Sequence, residues 1–121
     1  MKRVSGRLWV VGTLLVAITL TLLVAWAGPA AAGDVEGGQA IFKKNCAMCH
    51  GPNGAGDGPM GKMLNPHPPS FTDADRMATR TDEDLVTRIK EGKSPMPSYG
   101  SRLNDNQIQD VLAYIRSLSG K

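Results

Sequence analysis

Cys46-Ala47-Met48-Cys49-His50 concentrates the reactive side chains of this 121-residue chain, for these are its only two cysteines and one of its two histidines. Two thiols separated by two residues, with an imidazole directly after, suit covalent attachment of a c-type haem. The thiols add to the two vinyl groups on one porphyrin edge, and the adjacent imidazole becomes the fifth iron ligand. Other readings of Cys-x-x-Cys fit less well. A structural zinc needs four ligands, and the other histidine, His67, is too isolated to complete a set. A thioredoxin-like dithiol belongs in a βαβ setting, and no alternating strand pattern follows residue 33. An exported dithiol or a simple disulfide remains as the alternative.

A six-coordinate haem needs a ligand on its second face, and the axial choice helps to set the potential over a range of about 0.8 V. Met48 lies too close to His50 to reach that face. Met77 falls in a polar stretch without other signals, and glycine neighbours leave Met60 and Met63 poorly fixed. Met96 is favoured, because Pro95-Met96-Pro97 makes a stiff segment in which Pro97 biases Met96 toward extended geometry. His67, in Asn65-Pro66-His67-Pro68-Pro69, is the rival, and its plain alternative is an exposed loop histidine.

These residues need a frame. Residues 1–32 read as an export signal: Lys2, Arg3 and Arg7, an apolar run from Leu8 to Ala27, and an Ala30-x-Ala32 cleavage pattern. The run is also long enough to span a bilayer, so a retained anchor is the alternative. Without this segment, residues 33–121 carry eleven basic and eleven acidic residues. The basic character of the whole chain belongs to the signal, and no basic patch interleaved with aromatics points to nucleic acid. Lys43 and Lys44, near the attachment site, read as a solvated helix face or as a local docking patch for a partner.

A domain this small has a limited core. A buried porphyrin would add apolar mass, so the chain is expected to fold poorly without it. The pattern predicts an all-α domain. A first helix runs from Asp34 to about Asn45, with acidic residues at its start and Val35, Gly38, Ile41, Phe42 and Asn45 near one face. Residues 51–70 hold five glycines and five prolines, which predicts coil. In a haem protein that coil can wrap the porphyrin and turn Met60, Met63, Leu64 and Phe71 inward. Thr81 caps a helix that Gly92 stops. Asn104-x-x-Gln107 forms a capping box ahead of the stripe Ile108, Val111, Leu112, Ile115 and Leu118.

Taken together, the segments GDVEGGQAIFKKNCAMCHG, SPMPSYG and VLAYIRSL resemble class I c-type cytochromes, in the right order and over nearly the whole of residues 33–121. The resemblance implies the small cytochrome c fold, with three to four helices and Gly/Pro-rich loops around one covalent haem. It implies that Gly38 and Phe42 pack against Tyr114, that Met96 is the axial methionine, and that a backbone carbonyl, from a proline of the 51–69 loop, accepts the His50 N–H. The middle segment is closer to small bacterial carriers than to the mitochondrial form. Trp9 and Trp26 both precede residue 33, so no tryptophan serves a haem propionate.

The expected function is single-electron transfer by a monohaem carrier with Cys46, Cys49, His50 and Met96 at its cofactor, rather than an enzyme. The expected setting is a respiratory or related chain in the periplasm or on the outer face of a bacterial cytoplasmic membrane. Redox proteins such as a membrane oxidoreductase would be its partners. One alternative is an electron-accepting subunit of a larger dehydrogenase or reductase. Another is a five-coordinate gas-binding or peroxidase-type haem protein, against which Met96 argues.

Overall fold

The computed structural model describes residues 33–120; the expected signal segment and its cleavage site lie outside the described residues. Five α-helices follow in order: α1 (Val35–Asn45), α2 (Ala47–His50), α3 (Ala74–Ala78), α4 (Asp82–Glu91) and α5 (Asp105–Leu118). A 3₁₀ turn at Gly61–Met63 interrupts the expected coil. Among the described residues there is no strand, only an isolated bridge between Lys93 and Met96. No helix among them is long and apolar enough to cross a membrane. The expected fold is present, with five helices where three to four were expected: α2 and α3 are the additions.

Local chemistry sets the helix starts. Asp34 caps α1 by accepting from the Glu36 N–H at 3.0 Å. Thr81 and Asp84 form a reciprocal capping box at α4, and Asn104 and Gln107 form one at α5. Each satisfies donors that a helix start leaves unpaired. At the far end of α4, Gly92 takes φ 71°, a left-handed value that suits glycine.

The crossing of α1 and α5 is the frame of the domain. Gly38 lies so close to α5 that a Cβ there would run into the Asp110 carbonyl. That approach lets Phe42, fully buried, meet Tyr114 at 5.2 Å between ring centroids. Asp110 Oδ1 also accepts from the Asp34 N–H at 2.8 Å, fixing the start of α1. Ile108, Val111, Leu112 and Ile115 are buried as their periodicity predicts. Val35 departs from the pattern: it is 43% exposed.

The short helix α3 was not legible as one. Asp73 caps it by accepting from the Arg76 N–H at 3.0 Å, and Met77, expected in an unremarkable stretch, is 2% exposed and belongs to the core. Arg116 of α5 explains why five residues suffice here. Its guanidinium donates to the Met77 carbonyl at 2.9 Å, to the Arg80 carbonyl at 2.6 Å and to Asp82 Oδ1 at 2.7 Å. One side chain thereby satisfies carbonyls at the end of α3 and pairs with the acidic first turn of α4.

Candidate haem site

The cysteine-bearing turn follows α1 directly, with Cys46 as the one residue between α1 and α2. Cys46 N–H still donates to the Phe42 carbonyl at 2.8 Å, and the His50 and Gly51 amides donate to the Cys46 and Ala47 carbonyls, each at 2.9 Å. The side chains of Cys46, Cys49 and His50 are therefore carried on helical backbone that Phe42 anchors. The glycine-rich loop then presses against this turn. The Gly56 amide donates to the His50 carbonyl at 2.7 Å and the Met60 amide to the Met48 carbonyl at 3.0 Å. Gly61 has no room for a side chain, since a Cβ would overlap the Cys49 carbonyl.

The loop bearing Met96 is built differently. The Met96 amide donates to the Lys93 carbonyl at 2.8 Å and the Lys93 amide to the Met96 carbonyl at 3.0 Å, closing a small turn. The chain then returns to α4, where the Tyr99 and Gly100 amides donate to the Ile89 and Lys90 carbonyls. The Tyr99 hydroxyl reaches across to the Asn45 carbonyl at 2.7 Å.

These pieces enclose a cavity of about 800 Å³, and Cys46, Cys49, His50, Met96 and His67 all line it. Leu64 and Phe71 line it as expected of the wrapping loop. Met60 and Met63 do not: they are 44% and 73% exposed. Met60 is drawn aside by its backbone bond to Met48, and the 3₁₀ turn carries Met63 outward. His67 is an exposed loop residue whose Nδ1–H donates to the Gly61 carbonyl at 3.1 Å. Arg76, Arg80, Arg88 and Lys93 share the lining with Glu83, Asp84 and Glu91, so charges of both signs border the cavity.

The His50 ring stacks on Phe71, with centroids 4.7 Å apart and planes 20° from parallel. Its Nδ1 is buried and has no hydrogen-bond partner. The expected proline carbonyl from the 51–69 loop does not accept from it. The loop instead uses its Gly56 amide to bind the His50 main-chain carbonyl. Burial lowers the His50 pKa, favouring neutral imidazole, the form that ligates metals. Burial first, and Cys49 second, push the Cys46 thiol up to about 11.

A haem fits this donor set. Both thiols are free, they lie on the wall of a cavity of suitable size beside a neutral imidazole, and a thioether from a distant loop reaches the same space. Tyr99 is the residue that sequence reasoning missed. Its neighbours in SPMPSYG drew attention to Met96, and no local pattern links position 99 to position 45.

Comparison with known proteins agrees. The Cytochrome c family model matches residues 35–119. Cytochrome c6 of Thermosynechococcus vestitus is 33% identical over 106 residues, covering 87% of this chain and 88% of that protein. Cytochrome c6 of Gloeothece citriformis is 36% identical over 93 residues, covering 75% and 77%. Among solved structures, cytochrome c6 of the diatom Phaeodactylum tricornutum aligns with a TM-score of 0.55 at 29% identity, covering 73% of this chain and 97% of that one. A chain of the reducing HAO-like protein complex of Kuenenia stuttgartiensis aligns with a TM-score of 0.60 at 29% identity, covering 73% and 44%. The helical frame, the Cys-x-x-Cys-His turn and this breadth of similarity converge: the chain belongs to the cytochrome c family and is an electron carrier with one covalently bound haem c.

Proposed function

We propose that Cys46 and Cys49 hold the haem through thioethers and that His50 and Met96 ligate its iron. The observation that carries this reading is the shared cavity. Three of the four residues arrive on one helical turn, and the fourth comes from a loop 46 positions beyond His50. Bound there, the haem supplies an Fe(III)/Fe(II) couple for outer-sphere electron exchange. The chain supplies the rest. Phe42 and Phe71 fix the plane of the His50 ring, the glycine loop covers the cysteine turn, and the Lys93–Met96 turn holds the Met96 backbone.

Residues 1–32 serve as the export signal in this reading and residues 33–121 form the carrier domain, which works in the periplasm or at the outer face of the cytoplasmic membrane. The basic start at Lys2, Arg3 and Arg7, the apolar run from Leu8 to Ala27 and the Ala30-x-Ala32 pattern support it. The carrier takes electrons from one redox protein and passes them to another in a respiratory or related chain. A second reading makes it a subunit of a larger oxidoreductase. It draws support from the 29% identity over 93 residues to a cbb3-type cytochrome c oxidase subunit of Rhizobium leguminosarum, of which this chain covers 30%.

The test is the optical spectrum of protein matured in an export-competent host, beside a denaturing gel stained for covalent haem. A haem-stained band, low-spin reduced α and β bands and a weak near-infrared sulfur-to-iron band when oxidised are expected. A stained band without the sulfur-to-iron signal would replace Met96 by His67 or an open iron. Absence of covalent haem would return Cys46 and Cys49 to a dithiol or disulfide. Copurification with one stoichiometric redox partner would favour the subunit reading.

A further inference from the structure

Most of the bonds that shape the Met96 loop are internal to it or run to α4. Ser98 Oγ donates to the Lys90 carbonyl at 2.5 Å, and the Tyr99 and Gly100 amides donate to the Ile89 and Lys90 carbonyls at 3.0 and 3.1 Å. They seat the loop on α4. They do not set its distance from the cysteine turn, which belongs to α1 and α2.

One bond does. The Tyr99 hydroxyl donates to the Asn45 carbonyl at 2.7 Å across 54 positions of sequence. Asn45 is the last residue of α1 and directly precedes Cys46, so its carbonyl is among those a helix end leaves without an intrahelical partner. Among the described residues, no other hydrogen bond joins the segment from Gly92 to Leu103 to α1 or α2. Tyr99 is 9% exposed and lines the same cavity as Cys46 and Met96. Arg102 lies over the Tyr99 ring at 5.6 Å from its centroid, which holds the phenol in its orientation.

We propose that Tyr99 is a positioning residue for the sixth iron ligand: its hydroxyl, donated to Asn45, fixes the separation of the Met96 loop from the Cys46–His50 turn and so keeps the Met96 thioether on the iron. The inference rests on ligation by His50 and Met96. Phenylalanine has nearly the same volume and lacks only the donor, so Tyr99→Phe removes the tie while keeping the packing. The Asn45 carbonyl then loses its partner, and outward movement of the loop costs less.

The experiment compares the haem-loaded wild type, Tyr99→Phe and Arg116→Ala. Three readouts are needed: the near-infrared sulfur-to-iron band, the rate of carbon monoxide binding by the ferrous protein, and the denaturant midpoint. Carbon monoxide must displace the thioether, so its rate reports how often Met96 leaves the iron. Tyr99→Phe is expected to bind about tenfold faster than wild type, the effect of one part-buried hydrogen bond whose acceptor is left unpaired. Arg116→Ala is expected to lower the denaturant midpoint at least as much, with a carbon monoxide rate within about twofold of wild type. A Tyr99→Phe rate within twofold of wild type would overturn the inference, as would an Arg116→Ala rate that rises in step with its lost stability. A wild type without the near-infrared band would overturn the ligation itself and this inference with it; a normal wild-type band with an unchanged Tyr99→Phe rate would overturn only the role of Tyr99.

Discussion

The Cys46–His50 turn and the Met96 loop border the same cavity, but they are secured by different physics. The turn continues α1, whose Gly38 and Phe42 are locked into α5, and the glycine loop bonds to its backbone from outside. The Met96 loop has exposed prolines on both sides of the methionine and is held by a handful of hydrogen bonds, one of which reaches α1. Apolar packing is non-directional and cooperative, whereas a hydrogen bond contributes modestly and fails singly. The difference teaches that this molecule divides its tasks. Global stability resides in the helix crossing, and on the proposed ligation the retention of Met96 resides in the loop.

That division can be attacked first at its strongest point. Phe42→Ala should cost about 3–5 kcal/mol, measured by denaturant unfolding of the haem-loaded protein, because Phe42 joins Tyr114, Phe71 and the His50 ring. Total stability for a domain of this size is on the order of 5–10 kcal/mol, so this one change removes much of it. A loss under about 1 kcal/mol would show that the haem, not the crossing, carries the fold.

Arg116→Ala should cost about 2 kcal/mol, since it strips two carbonyls and an aspartate of a charged donor. Amide exchange should rise most in α3 and the start of α4. If the exchange is uniform, Arg116 does not staple that junction. Asn104→Ala should cost about 1 kcal/mol through the lost capping box of α5, with no change in the sulfur-to-iron band. A changed band would break the separation between frame and loop.

The smallest effect concerns pH. Burial, followed by the neighbouring Cys46, raises the Tyr99 phenol above its ordinary value of 10.0. With the proposed thioether at Cys46 in place, that charge is absent and burial remains the cause. The unfolded chain therefore loses this proton at lower pH than the folded one, and the contribution is complete below pH about 10 and declines as pH rises above it. Wild type should lose its stability advantage over Tyr99→Phe through that window. An advantage constant to pH 11 would mean that the phenol does not titrate differently in the two states.

How much could be read from the sequence follows from the same division. The starts of α4 and α5 were legible through Thr81 and the Asn104–Gln107 box, because capping is a local signal, whereas the packing of Gly38 and Phe42 on Tyr114 was legible only through the family resemblance. Cys46, Cys49 and His50 were legible as a spacing. The α3 helix was not, for five residues give periodicity too little length, and its support comes from Arg116, 39 positions beyond Met77. Met60 and Met63 misled because apolar type does not reveal direction; their outward placement depends on a backbone bond to Met48 and on a 3₁₀ turn. The Tyr99–Asn45 bond joins a loop to the end of α1 across 54 positions and has no signature at either residue.

The pairing of α1 with α5 also has a consequence in time. A chain made from its N-terminus presents Cys46, Cys49 and His50 about 60 residues before Ile108–Ile115 exist to cover Phe42. During that interval the cysteine turn has no permanent neighbour on its packing side. Lasting cover for Phe42 therefore arrives only with α5, the last helix of the chain to be made.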